Sequence, residues 1–339
     1  MKVKAADIAR ELRISKATVS LALNNKPGVS EQTRQEVLDC KKLLENRNYE
    51  EVTPFMIEKQ VIKVVFVHRD LKIAYGSEID LWTDVLEVFD REAKLRGYSL
   101  GVTYVNLITD SVEQVIHECN MNSVAGVILC GTEMIGKDYE QFRRINKPMI
   151  IADNDFENNL HHRVCINNVS AVKLAVDHLL KRNCRNILYL ANEVDIYNFE
   201  QRRMGFKQAI LNNGMEFKED MIIRMGRTIE ECNQKMKIYI QENRLPDAFV
   251  MENYQVSIGC MKALKTEGIS IPQDISLIGV DEVPSYVAVD YKLAVIKIDH
   301  INRANMVMHL LQKEITEGMS VKFMVMSDCS LIEGESVKK

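Results

Sequence analysis

The stretch GTEMIGKD, Gly131 to Asp138, falls one residue short of the phosphate-cradling pattern GxxxxGK[ST] and follows the apolar run VAGVILC. In that pattern the backbone N–H groups and the lysine hold phosphates, and the final hydroxyl serves Mg2+. Asp138 would set a carboxylate against the phosphates instead, so nucleotide hydrolysis is not expected. His161, His162 and Cys165 are metal-ligand residue types close in sequence, but no fourth ligand is evident. The dinucleotide fingerprint G-x-G-x-x-G does not occur. The eight cysteines (40, 119, 130, 165, 184, 232, 260 and 329) form no CxxC pair, which points to reduced, buried thiols. These features lead us to expect no enzyme, no cofactor and no metal.

The elements that position side chains divide the chain in two. Residues 4 to 12 place Ile8, Ala9 and Leu12 on one helical face. Ser15 can cap a second helix, KATVSLALN, with an apolar stripe of Val19, Ala22 and Leu23. After the loop signal NKPGV, Ser30 caps a third helix carrying Val37, Leu38 and Leu44. Two helices joined by a tight turn, with a third in support, follow the helix-turn-helix plan. From Ile62 onward short apolar runs (IKVVFV, YSLGVTYV, VAGVILC, PMIIA, RVCI, NILYL, DAFVM, ISLIGV, LAVIKI) alternate with helical stretches at 82–96, 169–182, 199–213, 254–267 and 300–317. Such alternation predicts parallel sheets covered by helices, and nine strands predict two doubly wound lobes with a ligand cleft between them. The expected boundaries are 1–48 for the head, 49–61 for a linker, 62–162 with 293–326 for one lobe, and 163–292 with 327–339 for the other.

Charge supports the division. The whole chain carries −4, but residues 1–48 hold ten Lys or Arg against six Asp or Glu, a net of +4, which leaves −8 for the remainder. Only the head has the local positive charge that phosphate contacts need. With 27% charged residues and no apolar run near the roughly 20 residues of a membrane span, a soluble chain is expected. The opening MKVKAADIAR lacks an apolar signal-peptide core, so the cytoplasm is the expected compartment.

SKATVSLALN (Ser15 to Asn24), KPGVSEQTR (Lys26 to Arg34), RRMGF (Arg202 to Phe206), PDAFVMENY (Pro246 to Tyr254) and PQDISLIGVDE (Pro272 to Glu282) resemble the lactose-repressor (LacI/GalR) family of bacterial transcription regulators. The resemblance implies an all-α DNA-binding head on an α/β core of two lobes like a periplasmic binding protein. It also implies a homodimer on double-stranded operator DNA and a small-molecule effector in the cleft. Lys16 and Ala17 match positions that read base edges, while Thr18, Ser20, Asn24, Ser30 and Thr33 match positions that hold phosphates. Leu21 stands where relatives often have a base-contacting arginine, exchanging a bidentate guanine contact for an apolar one. Arg13 replaces the usual glycine of the turn. The family's hinge helix is not recognisable in YEEVTPFMIEKQ, Tyr49 to Gln60, where Phe55, Met56 or Ile57 would have to act as the minor-groove wedge beside unfavourable Glu50, Glu51 and Glu58. Greater reliance on head contacts is therefore expected.

For the effector the resemblance implies Trp82 as the aromatic that packs on the ligand, and Arg202 as a fork of donors. Thr132, Asp153, Asn253 and Asp281 complete the set, all at carboxyl ends of predicted strands. Each also has an ordinary reading: Asp281 as a turn former, Arg202 as a surface residue, Trp82 as core. A hydroxyl-rich, sugar-like effector is favoured, with a nucleobase second. The alternatives are a sugar-binding receptor without a DNA role and a regulator that no longer responds to an effector.

Overall fold

The structure is a computed structural model that describes residues 5–12, 14–24, 26, 28–30, 33–41, 59–71, 73, 82–283 and 291–339. The chain forms two compact units, Met1–Lys59 and Gln60–Lys339. In the first, α1 (Ala5–Glu11), α2 (Lys16–Leu23) and α3 (residues 33–41) enclose a small core of Ile8, Ala9, Val19, Ala22, Val37 and Cys40. Caps set the helix starts. The Ser15 hydroxyl accepts the Thr18 N–H at 3.0 Å, and the Ser30 hydroxyl accepts the Thr33 N–H at 3.1 Å. Arg34 donates to the carbonyls of Ala22 and Lys26, tying α3 to the end of α2. Arg13, Leu44 and residues 49–58, with the three wedge candidates, lie outside the described residues.

The second unit contains two six-stranded sheets. The first has the order β11-β5-β4-β3-β1-β2, with β1 Val61–His68, β2 Ser99–Asn106, β3 Val124–Cys130, β4 Met149–Ala152, β5 His162–Ile166 and β11 Met324–Ser327. The second has the order β12-β10-β9-β8-β6-β7, with β6 Ile187–Asn192, β7 Ile222–Gly226, β8 Ala248–Met251, β9 Ser276–Val280, β10 Ala294–Lys297 and β12 Ser330–Ile332. Alternation along each strand sorts side chains to opposite faces. Ile62, Val64 and Phe66 join the core beneath α4 (Thr83–Leu95) and α11 (His300–Glu317), while Val65 and Val67 join that beneath α5 (Val112–Cys119) and α6 (Gly136–Phe142). In the second lobe α7 (Asn168–Lys181) and α8 (Tyr197–Asn212) cover one face, and α9 (Ile229–Glu242) and α10 (Tyr254–Thr266) the other.

All nine expected strands are present, together with three short ones the sequence reading did not name, β7, β11 and β12. The pairing is parallel except that β12 runs antiparallel to β10. All three lobe boundaries need correction, the one at 326/327 because it cuts Ser327 from β11 of the first sheet. A division at 162/163 cuts β5, which pairs with β4 and β11 of the first sheet. A first-lobe segment starting at 293 includes β10, which pairs with β9 of the second. A buried apolar strand reads alike in either sheet, and only its pairing assigns it. The crossings lie at residue 167, at 298–299 and at 328–329, and Asn167 bonds both Ser327 and Asp328, so two of them are adjacent. Among the described residues no helix is long and apolar enough to cross a membrane.

Gly205, inside the RRMGF segment, lets α8 lie against α7. A Cβ there would sit 2.7 Å from the Val169 carbonyl oxygen and 2.9 Å from its Cα. Backbone cannot yield as a flexible side chain would. Gly205→Ala is therefore expected to destabilise the core by about 1–3 kcal/mol, read as a lower urea midpoint.

Candidate functional site

The carboxyl ends of both sheets line one cleft with about 560 Å3 of empty space, part of it open to solvent. Its wall brings together all six effector residues named from the sequence: Trp82, Thr132, Asp153, Arg202, Asn253 and Asp281. The two lobes contribute corresponding positions. Thr132 follows β3 and Asp153 follows β4, while Asn253 follows β8 and Asp281 follows β9. Asp153 and Asp281 both adopt left-handed backbone, with φ of 68° and 72°. Asp tolerates this conformation better than most residues, and such strain gathers at functional sites.

A glutamate beside each of the middle positions holds the loop that closes the cavity. Glu133 accepts the N–H groups of Arg69, Leu71 and Ile73 after β1. Glu252 accepts that of Asn192 at the end of β6, at 2.7 Å. The loops meet across the cleft, where Ile73 packs with Val194, Ile196 and Phe199. Trp82, at the start of α4, stands edge-on to Phe66 with ring centroids 5.0 Å apart.

The polar floor contains residues that the sequence reading missed. Arg303 of α11 pairs with Asp153 and donates to His300 Nδ1 at 2.8 Å, and His300 Nε2 lies 3.2 Å from Asp281. Because a guanidinium can only donate, Nδ1 accepts, and the ring proton sits on Nε2 facing the carboxylate. The line Asp153, Arg303, His300, Asp281 therefore runs from one lobe to the other. Burial lowers the Arg303 pKa to about 10, which leaves it charged. Burial alone would raise the Asp281 pKa, but the His300 hydrogen bond, the charge of Arg202 and the Glu282 N–H hold it below the ordinary carboxylate value. The i, i+3 spacing of His300 and Arg303 puts both on one face at the start of α11. That was the only signal available in the sequence, where 300–317 reads as a covering helix.

Arg202 is buried on α8. Its Nε donates to Asn168 Oδ1 at 2.8 Å and its Nη1 to the Glu252 carbonyl at 2.7 Å, and the guanidinium lies 5.5 Å from the Phe199 ring centroid.

The other candidate motifs acquire structural roles. Asp138 accepts the Ile135 N–H at the start of α6 and pairs with Arg69, so it serves as a cap. His162 Nδ1 accepts the Phe323 N–H and its Nε2 meets Glu314, each at 3.0 Å, while the Cys165 thiol donates to the Asn154 carbonyl. Among the described residues no cluster of three His, Cys, Asp or Glu suits a metal.

In the head, Lys16, Ala17, Ser20 and Asn24 are exposed, with Val19 and Ala22 turned to the core. Thr18 and Thr33 are half-buried, and their hydroxyls bond the capping hydroxyls of Ser15 and Ser30, each at 2.8 Å. Leu21 is half-buried beside Gly28.

Residues 5–49 match the family described as bacterial regulatory proteins, lacI family, and residues 176–337 match a periplasmic binding protein-like domain. The chain is 24% identical over 278 residues to the ribose operon repressor of Halalkalibacterium halodurans, covering 82% of this chain and 80% of that protein. It resembles the structure of the Lac repressor dimer bound to operator and the anti-inducer ONPF, with a TM-score of 0.71 at 19% identity over 100% of both chains. For the complex of the transcriptional regulator CelR with cellobiose the TM-score is 0.70 at 17% identity, over 98% of this chain and 99% of that one. At these identities the structural likeness concerns the fold. The relatives are transcriptional regulators and not enzymes.

Glu252 carries a pH signature. Burial pushes its pKa from 4.5 up to about 7, against the opposing pull of Arg203 and the Asn192 N–H. Between those values the folded protein keeps a proton that the unfolded chain has released, so stability falls as pH rises through this window. The fall attributable to Glu252 is expected to reach about 3 kcal/mol and then level off above pH 7. Glu252→Gln should remove that portion, measured by urea unfolding of both proteins at pH 5 and pH 8. Parallel pH dependences would contradict it.

Proposed function

For this chain, a member of the lacI family of bacterial regulatory proteins, we propose a cytoplasmic, homodimeric repressor whose affinity for operator DNA is set by a small effector bound between the lobes. The observation that carries the reading is the convergence of Trp82, Thr132, Asp153, Arg202, Asn253 and Asp281 on one cavity in a chain that begins with a helix-turn-helix. Lys16 and Ala17, exposed at the start of α2, would read base edges. Thr18, Ser20, Asn24, Ser30 and Thr33 would meet phosphates, with Leu21 offering apolar contact. Trp82 gives the cavity a flat apolar face, which suits a sugar ring ahead of a nucleobase. Effector binding would bias lobe closure, and closure would change operator affinity; by linkage, operator must alter effector affinity equally. No catalytic step is assigned.

The test is to incubate the full-length protein with fragmented genomic DNA from its source at two salt concentrations and sequence what is retained. Enrichment of one palindromic site that survives the higher salt is expected, because bulk phosphate binding fades with salt. Lys16→Ala should weaken that site by about 1–3 kcal/mol. Retention without sequence preference would leave a sugar-binding receptor as the better reading. An operator whose affinity no cleft ligand changes would make the protein a constitutive regulator.

A further inference from the structure

Which chemistry fits the cavity depends on which of its polar atoms remain available. A neutral sugar is held largely by carboxylates that accept its hydroxyl hydrogens, yet both aspartates here are already engaged. Asp153 is ion-paired with Arg303 and accepts from the Thr132 hydroxyl, and Asp281 accepts from His300 and the Glu282 N–H. Asn253 is occupied as well. Its Oδ1 caps α10 at the Val256 N–H, and its Nδ2 donates to Gln255. Each of these acceptors thus already has a partner within the protein, although Asp153 Oδ1 has only its ion pair with Arg303.

Donors are left over. The three partners of Arg202, namely the Asn168 amide oxygen, the Glu252 carbonyl and the Phe199 ring, are all uncharged. Among the described residues no carboxylate oxygen comes within the 4.0 Å of an ion pair with Arg202, and its Nη2 has no hydrogen-bond partner. The neighbouring Glu252 carboxyl lies instead 3.8 Å from Arg203. Arg303 is 94% buried, and its Nε is likewise without an acceptor among the described residues. Two buried guanidinium groups on the wall of one cavity thus have donor capacity that the protein does not meet. A buried donor without an acceptor is unfavourable until something supplies one.

Resting on the regulator reading above, we propose that the effector is an anionic small molecule, a carboxylate or a phosphate ester, whose charged group seats on Arg202 with Arg303 behind it. The planar guanidinium fork suits either anion. Trp82 receives the rest of the ligand, so a sugar acid or sugar phosphate meets both requirements. Arg303 and His300 act as specificity residues by occupying the two aspartates that a neutral polyol would use.

The experiment uses full-length protein and its single tryptophan, Trp82, as the fluorescent reporter, with calorimetry as a check. The probes are inorganic phosphate, acetate and three matched pairs: glucose with glucose 6-phosphate, ribose with ribose 5-phosphate, and galactose with galacturonate. At least one anionic member should bind about tenfold or more tighter than its neutral partner, and phosphate or acetate alone should register at millimolar concentration. Arg202→Gln should abolish the preference, and Arg202→Lys should keep part of it. The wild-type comparison stands even if the glutamine variant fails to fold. A neutral member binding as tightly as its anionic partner in every pair that binds, a preference surviving Arg202→Gln, or no response to any anion would each overturn the proposal. Phosphate and carboxylate pairs tell the two sources of charge apart. Operator retention, measured separately without any probe, distinguishes the two failures: retained operator with no anion response sinks only this inference, and anion binding without operator retention sinks only the regulator reading.

Discussion

Parallel pairing delivers the carboxyl ends of neighbouring strands to one edge of a sheet, and the rest of the core depends on that constraint. A chain that must return for each parallel strand places its loops at the same edge. Because it also passes between the lobes three times, the two edges share one cleft, lined by residues that follow β3, β4, β8 and β9. Corresponding positions then face each other: an aspartate in left-handed backbone in each lobe, and a buried glutamate in each lobe that staples a closing loop.

Burying that much charge is costly unless each group finds partners, and the structure meets the requirement unevenly. Asp153 and Asp281 are paired with Arg303 and His300, which α11 supplies from the first-lobe side just after a crossing point. The same line connects the lobes, so a movement that separates them must break it at the contact between His300 and Asp281. Packing of Ile73 against Ile196 and Phe199 adds an apolar contact across the same gap. On the proposed reading, ligand recognition and lobe closure would draw on the same few side chains, the arrangement a binding-driven switch requires.

The head is governed by simpler rules. Its small core and its serine caps fix the start of α2, which leaves Lys16 and Ala17 exposed at the end suited to a groove. Thr18 and Thr33 illustrate how one residue can satisfy a cap and still border an exposed surface.

Much of this was legible in the sequence because it rests on local periodicity. Helical spacing marked the head, alternation of apolar runs with helices marked two parallel sheets, and strand ends pointed to Thr132, Asp153, Asn253 and Asp281. The edge strands β7, β11 and β12 escaped although IIRMG, MVMS and SLI are largely apolar, because runs of three to five residues are too short for period alone to mark them as strands. Lobe membership of β5 and β10 escaped because burial pattern does not encode the partner. Arg303 and His300 escaped for a related reason: they sit on a helix whose visible pattern is its apolar face, and their roles come from aspartates some 150 and 20 residues away in sequence. What the sequence by itself determined is what nearest neighbours along the chain decide: caps, periods and the residue types at strand ends. Tertiary structure alone decided which carboxylate meets which cation, and so which donors stay free in the cleft, because electrostatic partners are chosen by distance in space and the chain must fold before those distances exist.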